Sequence, residues 1–229
     1  MKPLLLLVAI ATVARISFAQ QNACEGYFPF QEGKKVEMTT YDKKDKPLNV
    51  VKNELINKTP AEGGFTLVYK SEMFDAKGKL LSSGEFNGRC ADGTFYCDIR
   101  NISYDAMPKG PEFEVNFIGE QIAYPSRLEA DTPLSDASVK ISSALKGGMP
   151  IMNMSVAYTN RKVEGLETVE TPAGKFECVK VSYNLAIKIM GTRQMKGVEY
   201  LAKGIGIVKS ELYDEKGKKE STTLLTKLN

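Results

Sequence analysis

The stretch FECVKVSYNLAIKIM, Phe176 to Met190, alternates apolar and polar residues along its length. Val179, Val181, Tyr183, Leu185, Ile187 and Ile189 fall on one side, and Lys180, Ser182, Asn184 and Lys188 on the other. A helix would scatter these residues around its circumference, so a period of two over this span specifies a strand with one buried face. FTLVYKSEMF places Phe65, Leu67, Tyr69 and Met73 on one side, and IMNMSVAY does the same for Met152, Met154, Val156 and Tyr158. Further strands are expected over 34–41, 48–56, 80–90, 95–100, 113–123, 137–145, 195–203, 205–213 and 220–227, giving about eleven or twelve. Helical patterning is confined to a turn or two around Ser103 to Met107, ended by Pro108. YPSRLEADTP, from Tyr124, is the longest irregular stretch.

One short pattern recurs between alternating segments. YDKKDK begins at Tyr41, FDAKGK at Phe74 and YDEKGK at Tyr213. Each reads aromatic, Asp, any residue, Lys, Asp or Gly, Lys. A phosphate loop needs several glycines running into a helix, and a calcium loop needs oxygen ligands where these copies carry lysine. The pattern suits a hairpin turn instead. The Asp side chain accepts from backbone N–H groups two residues on, and Gly, or less comfortably Asp, takes the left-handed position. TPAGKFE and LKGGMP, near Gly174 and Gly147, read as two more connections. The glycines of AKGIGIVKSE, Gly204 and Gly206, lack the third glycine and the helix of a dinucleotide fingerprint. They read as a bulge or a close approach in a strand.

The chain has no His and no Trp. Ser-His-Asp and Cys-His catalysis and His-containing zinc sites are excluded. Acid–base work near neutral pH would fall to carboxylates, Lys or Tyr with shifted pKa values. Glu164, Glu167 and Glu170 offer no convergent partner, and Arg127, Arg161 and Arg193 read as isolated surface residues. No metal, cofactor or catalytic set is expected.

MKPLLLLVAIATVARISFA has the basic start, short apolar run and small residues at Ser17 and Ala19 of a secretory signal peptide. Residues 1–19 are read as that signal and residues 20–229 as one mainly β domain. Without Lys2 and Arg15 the remainder carries 29 basic and 28 acidic residues. That balance argues against nucleic acid or an anionic membrane as the main partner. No later stretch is apolar enough for a membrane helix, so an integral membrane protein is not expected. Export to the periplasm, or secretion, makes disulfides favourable for Cys24, Cys90, Cys97 and Cys178. Four cysteines allow three connectivities. A hairpin in CADGTFYC with Gly93 and Thr94 at its tip would set Cys90 opposite Cys97 and leave Cys24 for Cys178. The plain alternative is that some are buried small residues.

NRKVEGLETVETPAGKFECVKVSY followed by VEYLAKGIGIVKSELYDEKGK resembles an exported family of unknown function common in Bacteroidota. The start, CEGYFPFQEGKKVEMTTYDKKDK, is similar as well. Many members are expected to carry Trp where Leu201 stands. More distantly, the pattern resembles antiparallel half-barrel proteins of the bacterial envelope, including lipoprotein carriers, which curl a large sheet around an apolar cavity. The resemblance implies a fold and carries no catalytic residues with it.

The expected fold is mainly β, a single large curved antiparallel sheet forming a half-barrel or incomplete barrel with little helix. Met152, Met154, Val156 and Tyr158 are the candidate apolar ligand-facing residues, with core packing as the simpler reading. The expected function is a non-enzymatic periplasmic binding or carrier module for a lipid or another apolar or amphipathic small molecule. The alternative is a structural module that docks a cell-envelope protein.

Overall fold

A computed structural model describes residues 26–98, 113–148 and 150–229. The signal segment 1–19, Cys24, the helical turn at 103–107 and Met149 lie outside them. Thirteen strands are present among the described residues. In the first half they are β1 (Lys35–Asp42), β2 (Pro47–Ala61), β3 (Gly64–Asp75), β4 (Leu80–Ala91), β5 (Thr94–Cys97), β6 (Phe113–Gly119) and β7 (Ile122–Pro125). Then follow β8 (Ala137–Leu145), β9 (Pro150–Thr171), β10 (Gly174–Lys188), β11 (Thr192–Ala202), β12 (Gly206–Asp214) and β13 (Lys219–Leu228). No described residue is helical. All strands join one antiparallel sheet in the order β6-β8-β9-β10-β11-β12-β13-β1-β2-β3-β4-β5-β7, which does not close into a barrel.

The expected strand 113–123 is two strands. It breaks at Glu120 and Gln121, and its halves form the opposite edges of the sheet. Two residues therefore tether one edge to the other, so the sheet curls back on itself. Curling lets one sheet bury its own apolar face. Leu55, Leu67, Ile141, Val163, Val181 and Leu201 are fully buried on that concave side. Leu201, the expected Trp position, is thus a core residue.

The hairpins turn at two ends. Five tips, β1–β2, β3–β4, β8–β9, β10–β11 and β12–β13, lie at one end, and β2–β3, β4–β5, β9–β10 and β11–β12 at the other. The second end is closed by the arm before β1. Phe28 packs 4.2 Å from Phe95 and 5.0 Å from Tyr124, and Phe30 packs 4.9 Å from Phe65, centroid to centroid. Tyr69 donates to the Pro29 carbonyl at 3.3 Å, and only about 10 Å³ stays open among these rings. A smaller core on the outer face gathers Val169, Cys178, Tyr200, Val208 and Leu225, where the β9–β10 hairpin leans over β13 and the Ala173 N–H bonds the Leu225 carbonyl.

The three recurring turns share one geometry. Asp42, Asp75 and Asp214 each accept two backbone N–H bonds through Oδ1, from residues two and four positions on, at 2.8–2.9 Å. Asp45, Gly78 and Gly217 hold φ of 57°, 84° and 78°. These backbone donors hold the Asp42 and Asp75 carboxyls below their ordinary pKa.

The cysteine pairing differs from expectation. In the β4–β5 hairpin Asp92 and Gly93 form the tip, at φ 49° and 77°, as Asp-Gly favours in a two-residue turn. Ala91 then faces Thr94, Cys90 faces Phe95 and Cys97 faces Gly88, so Cys90 and Cys97 are not opposed. Cys97 is free, and so is Cys178, whose thiol points to the Phe176 carbonyl in the outer core. Neither the 90–97 nor the 24–178 bridge forms. Cys90 is disulfide-bonded, and its partner lies outside the described residues.

Candidate functional site

The concave face is filled at the closed end and open at the five-tip end. Between these lies a groove of about 550 Å³. One wall is apolar, with Phe117 from β6, Leu185 and Ile187 from β10 and Leu212 from β12. The facing wall, from β1 to β4, mixes Val51, Met73 and Phe86 with Asn49, Ser71 and Ser82. Met73 lies on the face that the alternation of β3 assigns to it. Gly84 in β4 widens the groove, since a Cβ there would meet nothing within 4 Å.

The floor is polar. Tyr158, Tyr183 and Glu199 line it, from β9, β10 and β11. Tyr124 of edge strand β7 donates to Glu199 Oε2 at 2.9 Å. Glu199 is 8% exposed. Burial pushes its pKa above the ordinary carboxylate value, while the Tyr124 hydroxyl, the Arg161 charge and the Tyr183 hydroxyl act the other way. Burial also pushes the Tyr124, Tyr158 and Tyr183 phenols upward, so all three are neutral donors at physiological pH.

Arg161, expected at the surface, is 2% exposed. Its Nη1 donates to the Ala123 carbonyl of β7 at 3.0 Å and to the Ser135 carbonyl at 2.8 Å. Its guanidinium lies 4.9 Å from the Tyr124 ring centroid, and Nη2 has no hydrogen-bond partner. Two irregularities in β9 turn it inward. The β9–β10 register shifts beside Tyr183, with Asn160 at φ 52°, and shifts again near Gly165 at φ 140°. Between them, Thr132 and Leu134 take over as backbone partners for Val163 and Arg161. Together, Arg161, Tyr124 and Glu199 fasten the edge strand across the concave face. Chemically, this floor offers one protonatable carboxyl and several neutral hydroxyl donors beneath an apolar wall. Among the described residues no cluster could hold a metal ion.

Of the four residues expected to face a ligand, Tyr158 lines the groove. Met154 and Val156 are buried beneath it with Val139 and Ile141, and Met152 packs partly buried against the same core. The three glutamates of β9 are exposed, Glu164 bonding Ser182 and Glu167 pairing with Lys180 at 3.0 Å. Arg193 pairs with Glu220 at the surface at 3.2 Å, and Arg127 is exposed. Glu199 escaped the sequence reading. Its signal was present in the alternation Met195, Gly197, Glu199, Leu201, which sets one carboxylate among core residues.

A family model described as DUF3108-like matches residues 31–225. The chain belongs to the DUF3108-like family. Two solved structures share the fold of this DUF3108-like chain. A candidate exported protein with a YmcC-like fold from Bacteroides fragilis is 27% identical, with a TM-score of 0.76, covering 90% of this chain and 100% of its own. A candidate lipoprotein from Parabacteroides distasonis is 25% identical, with the same TM-score, covering 90% of this chain and 99% of its own. No match was found among curated proteins.

Proposed function

We propose that this DUF3108-like protein is an exported, non-enzymatic binding module of the cell envelope that takes an amphipathic small molecule into its groove. The observation that carries this reading is the open concave volume of about 550 Å³. Ligand sites typically measure about 300–1,000 Å³, with apolar walls and a few placed polar groups. A flexible apolar chain fits between Phe117, Leu185 and Ile187 on one side and Val51 and Phe86 on the other. The hydroxyls and the carboxyl of the floor set a polar limit to its depth. Envelope placement is supported by the signal-like segment 1–19 and by the descriptions of the two structural relatives as an exported protein and a lipoprotein.

The test uses an environment-sensitive apolar dye, N-phenyl-1-naphthylamine, with the mature protein and a Gly84→Trp variant. A Cβ at Gly84 meets nothing within 4 Å, so the substitution starts from open space on the groove wall. Dye binding is expected in the wild type, displaceable by long-chain amphiphiles and weakened about tenfold or more in the variant at unchanged melting temperature. Absence of dye binding, or binding indifferent to Gly84→Trp, would overturn the assignment of the groove.

A further inference from the structure

The two ends of the sheet differ in a way that the near balance of charge over residues 20–229 hides. Among the described residues ten large apolar side chains are exposed; Ile56, Ile118 and Leu166 lie within β2, β6 and β9, and the other seven are Leu48, Leu80, Leu81, Leu145, Ile151, Ile189 and Met190. All seven lie within two residues of a turn at the open end, on four of its five hairpins. Met190, at the β10–β11 tip, is 99% exposed. The four tips of the closed end carry none of them. Charge is segregated in the same direction. Residues 42–48, 75–81, 144–151, 187–194 and 213–220 hold eleven basic and six acidic side chains. The corresponding turns of the closed end, 61–65, 91–95, 170–176 and 202–206, hold two basic and three acidic. Three of the six acids, Asp42, Asp75 and Asp214, are occupied by N–H groups of their own turns. The lysines beside them are exposed.

Rims that interleave exposed aliphatic side chains with lysine suit one kind of surface. The apolar groups enter the boundary between headgroups and acyl chains, while the ammonium groups meet anionic headgroups. We propose that the open end of the half-barrel is a docking surface for an anionic lipid bilayer, with Ile189 and Met190 as its inserted tip and the lysines of the recurring turns as its electrostatic collar. Docking there would face the mouth of the groove toward the membrane. The surface is independent of what the groove holds.

The experiment is co-flotation of the mature protein with phosphatidylglycerol–phosphatidylethanolamine vesicles and with phosphatidylcholine vesicles. Binding is expected only to the anionic vesicles, and it should fall as salt rises. Replacing both Ile189→Asp and Met190→Asp should weaken it about tenfold or more, and these side chains carry no core packing. Leu166→Asp, 85% exposed on β9 away from the open end, should leave it unchanged. Gly84→Trp should leave it unchanged too, even if that variant abolishes dye binding. Failure to float with anionic vesicles would overturn the docking surface, as would equal losses in the Leu166 and tip variants. Loss of flotation in Gly84→Trp alone would assign membrane association to lipid uptake and also overturn it. Capture of an envelope protein by the wild type and not by the tip variant, without vesicle binding, would give the rim to a protein partner instead.

Discussion

Gly197 marks the place where the floor of the groove is packed most tightly. It lies opposite Tyr183 across β10 and β11, and the tyrosine ring covers the space where a side chain would stand. A Cβ there would sit 2.1 Å from Cζ, 2.3 Å from Cε2 and 2.5 Å from Oη of Tyr183. Carbon atoms are comfortable at about 3.5–4.0 Å, so in Gly197→Ala the ring must retreat by more than about 1 Å. It has little room, because Tyr158 packs against it at 5.1 Å between centroids. Overpacking of this kind costs about 1–3 kcal/mol, and an overlap this deep belongs at the upper end. Replacing a strand glycine by alanine returns about 0.5–1 kcal/mol. The net expectation is a loss of about 1–2 kcal/mol, or a fall in melting temperature of about 2–8 °C for a domain of this size. Gly84→Ala is the matched control, because nothing lies within 4 Å of its Cβ position. It should gain about 0.5–1 kcal/mol. Gly88→Ala should fall between, since the nearest atom is Cε2 of Phe95 at 2.9 Å. Calorimetric melting of the three variants decides the matter. A Gly197→Ala protein as stable as wild type, or a Gly84→Ala protein equally damaged, would refute the packing argument.

Other outcomes follow from the same structure. A buried carboxyl with a raised pKa favours folding when protonated, and that contribution is lost as pH rises from the ordinary value of 4.5 through the folded-state pKa. Glu199→Gln should therefore stabilise the protein at neutral pH relative to wild type, and the advantage should vanish in acid, as read from urea midpoints across a pH series. Gly217→Val should destabilise the β12–β13 hairpin by about 1–2 kcal/mol, whereas Asp45→Gly, at the same place in the β1–β2 turn, should gain up to about 1 kcal/mol in thermal unfolding. Peptide mapping without reduction should find Cys24 joined to Cys90, since Cys97 and Cys178 are free. Burial pushes those two thiols to about 12 and about 11, so both should alkylate slowly in the folded protein at mildly alkaline pH.

The strands of the C-terminal half were legible because their neighbours bury one face only. Val179, Val181, Tyr183 and Leu185 keep the alternation that the sequence displays. The three recurring turns were legible for a chemical reason: an Asp that captures two N–H groups, and a left-handed residue three positions on, leave little choice of geometry. Arg161 was not legible. Counting by twos from Tyr158 puts residue 160 inside and residue 161 outside, and only the left-handed Asn160 reverses that parity. Asn gives a weak local signal for such a bulge, and the partner that makes it worthwhile, the carbonyl of Ala123, is 38 residues away. The break of 113–123 was hidden for the opposite reason. Both halves alternate, and nothing in the residues themselves shows that they belong to opposite edges. The cysteine register failed by one turn residue, which moved Cys97 two places along its partner strand.

β13 pairs with β1 on one side and β12 on the other. It is the stitch between two blocks, β1 to β5 with β7, and β8 to β12 with β6. The Thr40 and Thr223 hydroxyls that meet across it at 3.0 Å are 183 residues apart. Every earlier hairpin can zip up locally as it is made, but the halves share no ladder until this strand arrives. Such long-range closure slows folding. The sheet would therefore stay pliable until late, and would set its final curvature only when β13 slots in.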